Sequence, residues 1–386
     1  MARELSLPCL AFCLVVATCL AVPTRISGAQ PPQDSLGNID VLGGKGESPP
    51  KLVFACDGSP SALERIFSQP EVISDLKELN AGISLALPDL NAERAQLVLR
   101  LNQASIPVTA WLALPPAQGY YSNASNAPET FTRFADFEKW SAAYGLRWAA
   151  VGLDIEPSIQ DFALLKGSKW RLAWIIFGRY FELRRVQRAK DAYAALVREI
   201  QAHGYPVETY QFPFIADERR VHSTLLERLS GIVDISSDRE VLMLYTSFNP
   251  ALDSGLIWVY GPEAQAIAVG STSGPEYDPH FVRLNWDRFS RDLIVAHHFS
   301  RLIGVYNLAG CVQQGFLHRL QSLDWDQSVV IPAASVRKAL QLRKRVQTVI
   351  WLGSHLPYFA ILIFIVGVTA IGCWRTRRRS SVIQDA

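Results

Sequence analysis

Cysteine is scarce in this chain, and so is any imbalance of charge. Of six cysteines in 386 residues, Cys9, Cys13 and Cys19 fall in an apolar N-terminal stretch and Cys373 in an apolar C-terminal one. Only Cys56 and Cys311 remain for the body, which argues against a disulfide-rich scaffold or a cysteine-bound zinc site. The formal net charge is +2 with 19% charged residues, so nothing points to a nucleic-acid partner. A glycine-rich phosphate loop is missing after the first apolar run, which argues against a nucleotide-binding doubly wound sheet. No metal and no cofactor is expected.

Long apolar runs are present only at the two ends. Residues 5–22 are apolar, follow Arg3, and lead to Ser27-Gly28-Ala29. This pattern reads as a secretory signal peptide over residues 1–29, with an uncleaved anchor as the alternative. Residues 349–374 are apolar over a length that spans a bilayer, and the part from Leu356 to Cys373 is uncharged. Arg375, Arg377, Arg378 and Arg379 follow and favour a cytoplasmic tail at 375–386. A basic juxtamembrane segment at 326–348, with Arg337, Lys338, Arg343, Lys344 and Arg345, works against that orientation. The export signal breaks the tie. The expectation is a single-pass membrane protein whose body lies outside the cytoplasm, with the lipid bilayer as one partner.

The body begins with a Gly-, Pro-, Ser- and Asp-rich stretch at 30–50, expected to be a flexible linker. Short apolar runs then recur at 51–58, 82–89, 107–115, 148–157, 207–214, 241–248, 267–271 and 302–308. Helical patterns separate many of them: 61–80, 91–104, 132–144, 160–203 with a break near Gly167, and 286–300. The span 233–262 is open to a hairpin. Alternating strands and helices imply a parallel sheet, and this number of strands suits an α/β, (β/α)8 TIM barrel over 51–325.

The most informative run is 148–157. Val151, Leu153 and Ile155 share one face of an extended strand, and Gly152, Asp154 and Glu156 share the other. The second face ends in two acids about 6.5–7 Å apart along the chain. Burying two acids is costly, and like charges this close raise one pKa, which keeps an acid protonated for general acid work. A structural ion pair with arginines is the competing explanation. Barrel active sites lie at the C-terminal ends of the strands. Asp57, Asp89, Trp111, Tyr120, Tyr121, Glu156, Tyr245, Glu276 and Gln313 fall at or near those ends and outline an acidic cleft with aromatic walls, suited to a carbohydrate.

A barrel whose fourth strand ends in Asp-x-Glu resembles the chitinase-like family 18 glycoside hydrolases. Their signature is Asp-x-x-Asp-x-Asp-x-Glu, and the matching window is Ala149-x-x-Gly152-x-Asp154-x-Glu156. The last two acids are present and the first two are not. Met243-Leu-Tyr245 matches the sixth-strand Met-x-Tyr pattern, Thr246 stands where an acid or amide follows, and Tyr306 stands nearest the eighth-strand tryptophan. The resemblance implies Glu156 as general acid, with Asp154 and Tyr245 orienting the substrate's acetamido group as nucleophile. Glu156-Pro157 also resembles the Glu-Pro pair of the wider clan of retaining barrel glycosidases, which implies Glu276 as nucleophile. Either way the expected function is hydrolysis or transfer of glycosidic bonds, with Asp154 ionised beside a protonated Glu156. An inactive glycan-binding or envelope-assembly barrel is the alternative.

Two further features carry expectations. Trp170, Trp174, Phe177 and Phe181 recur at spacings of four, three and four, followed by Arg184, Arg185 and Arg188. Such a stripe normally packs a helix onto the barrel; a helix resting on lipid headgroups is the alternative. Cys56 and Cys311 flank the first and eighth strands, neighbours in a closed barrel, so either a bridge or two buried thiols fits.

Overall fold

The computed structural model describes residues 37–42, 48–158, 169–274 and 282–384. The expected signal peptide and Glu276 lie outside the described residues. The strands are β1 (Ile39–Leu42), β2 (Lys51–Cys56), β3 (Gly82–Ala86), β4 (Val108–Trp111) and β5 (Ala150–Asp154). They continue as β6 (Val207–Gln211), β7 (Arg239–Met243), β8 (Ala266–Gly270), β9 (Leu302–Tyr306) and β10 (Ser328–Ile331). β2 to β9 form a closed, all-parallel barrel in sequence order. Closure comes from β9 against β2, with Leu52 opposite Ile303 and Val53 opposite Gly304. This is the (β/α)8 architecture. β1 and β10 pair antiparallel as a separate two-stranded sheet. Ile39–Leu42, inside the stretch expected to be a linker, is therefore a strand, held by its β10 partner.

The helices are α1 (Pro60–Phe67), α2 (Pro70–Glu78), α3 (Ala92–Gln103), α4 (Ala127–Tyr144), α5 (Lys169–Tyr180) and α6 (Leu183–Ala202). Then come α7 (Phe214–Arg220), α8 (Leu225–Ser230), α9 (Gly255–Tyr260), α10 (Trp286–His297), α11 (Leu308–Gln313), α12 (Phe316–Leu320) and α13 (Ala333–Gln384). Local chemistry sets many boundaries. Asn91 caps α3 by accepting from the Arg94 amide at 2.9 Å, and Asn285 caps α10 from Arg288 at 3.1 Å. The single helix expected over 61–80 is two, because Pro70 opens a new helix at its first turn. The span 233–262 holds the parallel strand β7 and α9 rather than a hairpin.

β5 behaves as its alternation requires. Val151, Leu153 and Ile155 are fully buried in the core beneath the helices, while Asp154 and Glu156 face the barrel interior. Cys56 and Cys311 are buried free thiols, not a bridge.

The C-terminal helix α13 has two halves. Val336, Ala339, Leu342, Val346 and Ile350 form one buried stripe against the barrel. Gly255 admits this contact, since a Cβ there would lie 2.5 Å from the Ser335 backbone carbonyl carbon. Arg343, expected as a juxtamembrane charge, is buried instead: it donates to Asp217 at 2.8 Å and stacks over Tyr260 at 4.6 Å. From Leu356 onward large apolar side chains stand exposed, Phe364 at 71%. By length and composition Ala333–Ile371 can cross a membrane.

Three residues of the aromatic stripe, Trp174, Phe177 and Phe181, do not pack on the barrel, and the Trp170 side chain lies outside the described residues. Trp174 is 72% exposed, Phe177 59% and Phe181 63%. The expectation of a core-facing stripe fails there, and the exposed row is taken up below.

Candidate functional site

The barrel is hollow because its inward positions are small. Val53, Ala55, Ser84, Ala268 and Gly304 line a cavity of about 310 Å³ that opens among the strand ends. That volume is at the small end of ligand pockets. Asp57, Asp154, Glu156, Trp111, Tyr121, Tyr245 and Tyr306 also line it. Strand alternation puts them there: Ala55 and Asp57, Met243 and Tyr245, Gly304 and Tyr306 are each two residues apart on inward faces.

Gly152 has a particular task. A Cβ there would lie 2.9 Å from the Tyr210 ring, so the glycine lets that ring slide beneath Asp154. The Tyr210 hydroxyl is 2.8 Å from Ser84 Oγ and donates to Glu208 Oε2 at 3.3 Å. Glu208 is itself buried and accepts from Arg239 at 2.7 Å. Glu208 and Tyr210 escaped the sequence reading, although Val207-Glu-Thr-Tyr-Gln211 shows the same alternation as β5.

Three acids meet at the mouth. Asp57 is held in place: Tyr306 donates to Oδ2 at 2.6 Å and Asn307 Nδ2 to Oδ1 at 3.4 Å. Asn307 Oδ1 at the same time caps α11 by accepting from the Gly310 amide at 3.0 Å. Asp154 and Glu156 are each 5% exposed, and among the described residues Asp154 Oδ1 and Glu156 Oε2 have no hydrogen-bond partner. The Trp111 indole nitrogen is likewise buried and unpartnered. Buried polar atoms are normally satisfied, so two acceptors and a donor left open on one cavity need an explanation.

Electrostatics follow from burial. Desolvation pushes the Asp154 carboxyl well up, and Asp57 adds to it. Desolvation also pushes Glu156 up, with Asp154 second. Asp154's charge raises Glu156, whereas Asp57's charge raises Asp154, so both acids hold their protons more tightly than usual. Tyr121 and Tyr306 are raised by burial too, Tyr121 further by Glu156 and Tyr306 by Asp57.

Aromatic walls complete the site. Tyr245 lies 5.7 Å from Tyr306 and 5.8 Å from Phe248, and Trp111 meets Tyr210 edge-on at 6.2 Å. Tyr120 sits behind Tyr121, edge-on at 4.8 Å. Two expected residues do not join. Asp89 turns away to Arg94, which it meets at 2.9 Å, and Gln313 is exposed on α11. Thr246 also faces elsewhere, donating to the buried Asp292 at 2.5 Å. Among the described residues no cluster of His, Cys, Asp and Glu is placed to hold a metal.

No family model and no curated protein sequence matches the chain. Solved structures with a similar fold include the glycoside hydrolase domain of PgaB from Bordetella bronchiseptica, at 10% identity and TM-score 0.44, covering 72% of this chain and 99% of that one. A 3-keto-D-glucoside 4-epimerase from E. coli aligns at 11% identity and TM-score 0.37, covering 76% of this chain and 98% of that one. A xylose isomerase domain protein from Planctomyces limnophilus aligns at 11% and 0.37, covering 71% and 96%. At identities and TM-scores this low the likeness transfers no activity, and the barrel rests on the strand order of this chain.

Proposed function

We propose that the chain is a barrel enzyme that hydrolyses or transfers glycosidic bonds, with Glu156 as general acid. One observation carries the reading: Asp154 and Glu156 are buried, pushed toward the protonated form, and present unpartnered oxygens to an aromatic-walled cavity. A protonated Glu156 gives its proton to the glycosidic oxygen as the bond to the anomeric carbon breaks. In the family 18 manner, Asp154 and Tyr245 orient the substrate's acetamido oxygen for attack on that carbon. Trp111, Tyr121, Tyr245 and Tyr306 supply ring faces and polar edges for one sugar. Asp57, fixed by Tyr306, supplies a charge near Asp154 where the signature's earlier aspartates are absent. Glu276 as nucleophile remains the reading of the wider retaining clan.

One feature favours a second reading, a glycan-binding protein without turnover. The signature's second aspartate position is Gly152, and the Tyr210 ring occupies that space. A glycan panel with the full chain, followed by kcat against pH for wild type and Glu156→Gln, separates the two. Equal turnover by Glu156→Gln overturns the mechanism. Binding without cleavage, surviving both Glu156→Gln and Asp154→Asn, establishes the binder.

The chain is further proposed to be held in a membrane by α13, with residues 30–347 outside the cytoplasm and 375–386 inside. Support comes from the exposed apolar half of α13 and the arginines that follow it. Protease added to intact cells or spheroplasts should digest the body; protection until lysis reverses the topology.

A further inference from the structure

We propose that α5 lies in the membrane interface beside the anchor, with Trp174, Phe177 and Phe181 inserted at the level of the lipid headgroups. The proposal rests on the reading of α13 as membrane-spanning. Trp174, Phe177 and Phe181 form a continuous exposed row, with ring centroids 6.0 and 5.4 Å apart. An exposed aromatic row of this kind marks an interaction surface. What covers it follows from its position. The Tyr180 hydroxyl at the end of α5 donates to the Gly353 carbonyl at 2.7 Å. Gly353 is just past Ile350, the last buried residue of the α13 stripe, where the helix leaves the barrel. The row is therefore tied to the level at which the anchor enters the bilayer. Trp351 and Tyr358, both exposed, flank the same level on α13. Tryptophan and tyrosine concentrate at membrane–water boundaries because their rings are apolar and their edges polar.

Three further contacts hold α5 against α8. Arg179 donates to the Leu229 carbonyl at 3.3 Å, and Arg228 stacks over Tyr180 at 5.0 Å while donating to its carbonyl. The row is thus built into the barrel's flank. Charge agrees with a lipid occupant. A groove of about 740 Å³ adjoins the row, lined by Phe181, Leu183, Arg184, Arg188 and by Arg185, which pairs with Glu182 at 2.8 Å. Apolar and cationic side chains together suit a surface of phosphate-bearing lipid headgroups over acyl chains. The barrel would then be fixed against the membrane at two points rather than swinging on a single helix.

The test places a benzophenone photoprobe at one position of the full chain, reconstituted in vesicles of phosphatidylcholine and phosphatidylglycerol. Position 177 tests the row and position 363 the anchor. Position 65, exposed on α1 across the barrel, is the control. Phe177 is exposed, so an aromatic probe leaves the fold intact. Lipid adducts at 177 and 363, with their loss at 65, are expected. Adducts at 363 without lipid adducts at 177 overturn the proposal and leave the anchor standing, and a protein-only adduct at 177 overturns it in favour of a protein interface. Loss of lipid adducts at 363 overturns the anchor reading and this inference with it.

Discussion

Two groups of buried carboxyls in this molecule differ in one respect. Outside the barrel, Asp217 accepts from Tyr260, Arg343 and Gln347 at 2.6, 2.8 and 2.8 Å. Beside it, Glu218 accepts the Leu226 and Glu227 amides at 2.6 and 3.1 Å. Glu227 meets Lys190 and the Asp234 amide, both at 2.8 Å. Every carboxyl oxygen of this group has a partner. At the barrel mouth, Asp154 and Glu156 each keep an oxygen without one. Burial is the first cause of a raised pKa in both groups, and Glu218 reaches about 8. A perturbed proton affinity therefore does not tell a site from a scaffold. The difference lies in the open oxygens that Asp154 and Glu156 present to the barrel cavity, since buried acceptors are normally satisfied.

The sharpest way to break this contrast is Glu156→Gln. Removal of a positioned general acid should lower kcat by about 10²–10⁴-fold. The thermal midpoint should hold or rise, since an amide is cheaper to bury than a carboxyl facing no partner. Calorimetry on the same sample checks the second half, and a fall in the midpoint would place Glu156 in the scaffold.

Asp217→Ala should do the reverse. It strands the buried Arg343 guanidinium, and breaking such a pair costs about 3–5 kcal/mol. Because Glu263 still meets Arg343, the lower end is expected. Denaturant unfolding should show the loss, while turnover per folded molecule stays unchanged.

Tyr306→Phe removes the donor that holds Asp57. A hydrogen bond to a charged group is worth about 1.5–3 kcal/mol. The cost should appear in kcat/KM and in a shifted acid limb of the pH profile, since Asp57 acts on Asp154. An unchanged profile would separate Asp57 from the reacting pair.

A further effect is a slope with pH. Asp154, Glu156 and Glu218 all bind protons more tightly folded than unfolded. The unfolding free energy should therefore fall as pH rises from the usual carboxylate range, with the Glu218 contribution ending near the value of about 8. Each proton contributes at most about 1.4 kcal/mol per pH unit. Urea midpoints across that window should flatten in Asp154→Asn/Glu156→Gln, and a rise in stability with pH would contradict the sign.

Local pattern was enough for much of this. Period-two alternation in 148–157 put Asp154 and Glu156 on one face before any coordinates, and the spacing of apolar runs implied the barrel. Caps such as Asn91 were legible because they act within three residues. The misreadings share a cause. Asp57 and Asp89 both end strands, but Arg94 draws Asp89 away while Tyr306, far along the chain, holds Asp57 at the cavity. Arg343 reads as a juxtamembrane charge until Asp217, 126 residues earlier, buries it. The α5 stripe has the same periodicity whether it faces a core or a lipid surface, so spacing cannot choose between them. The residue pattern settled which side chains share a face. Which buried oxygens find a donor depended on neighbours brought in from distant parts of the chain, because hydrogen bonding acts over about 3 Å in space and takes no account of sequence separation.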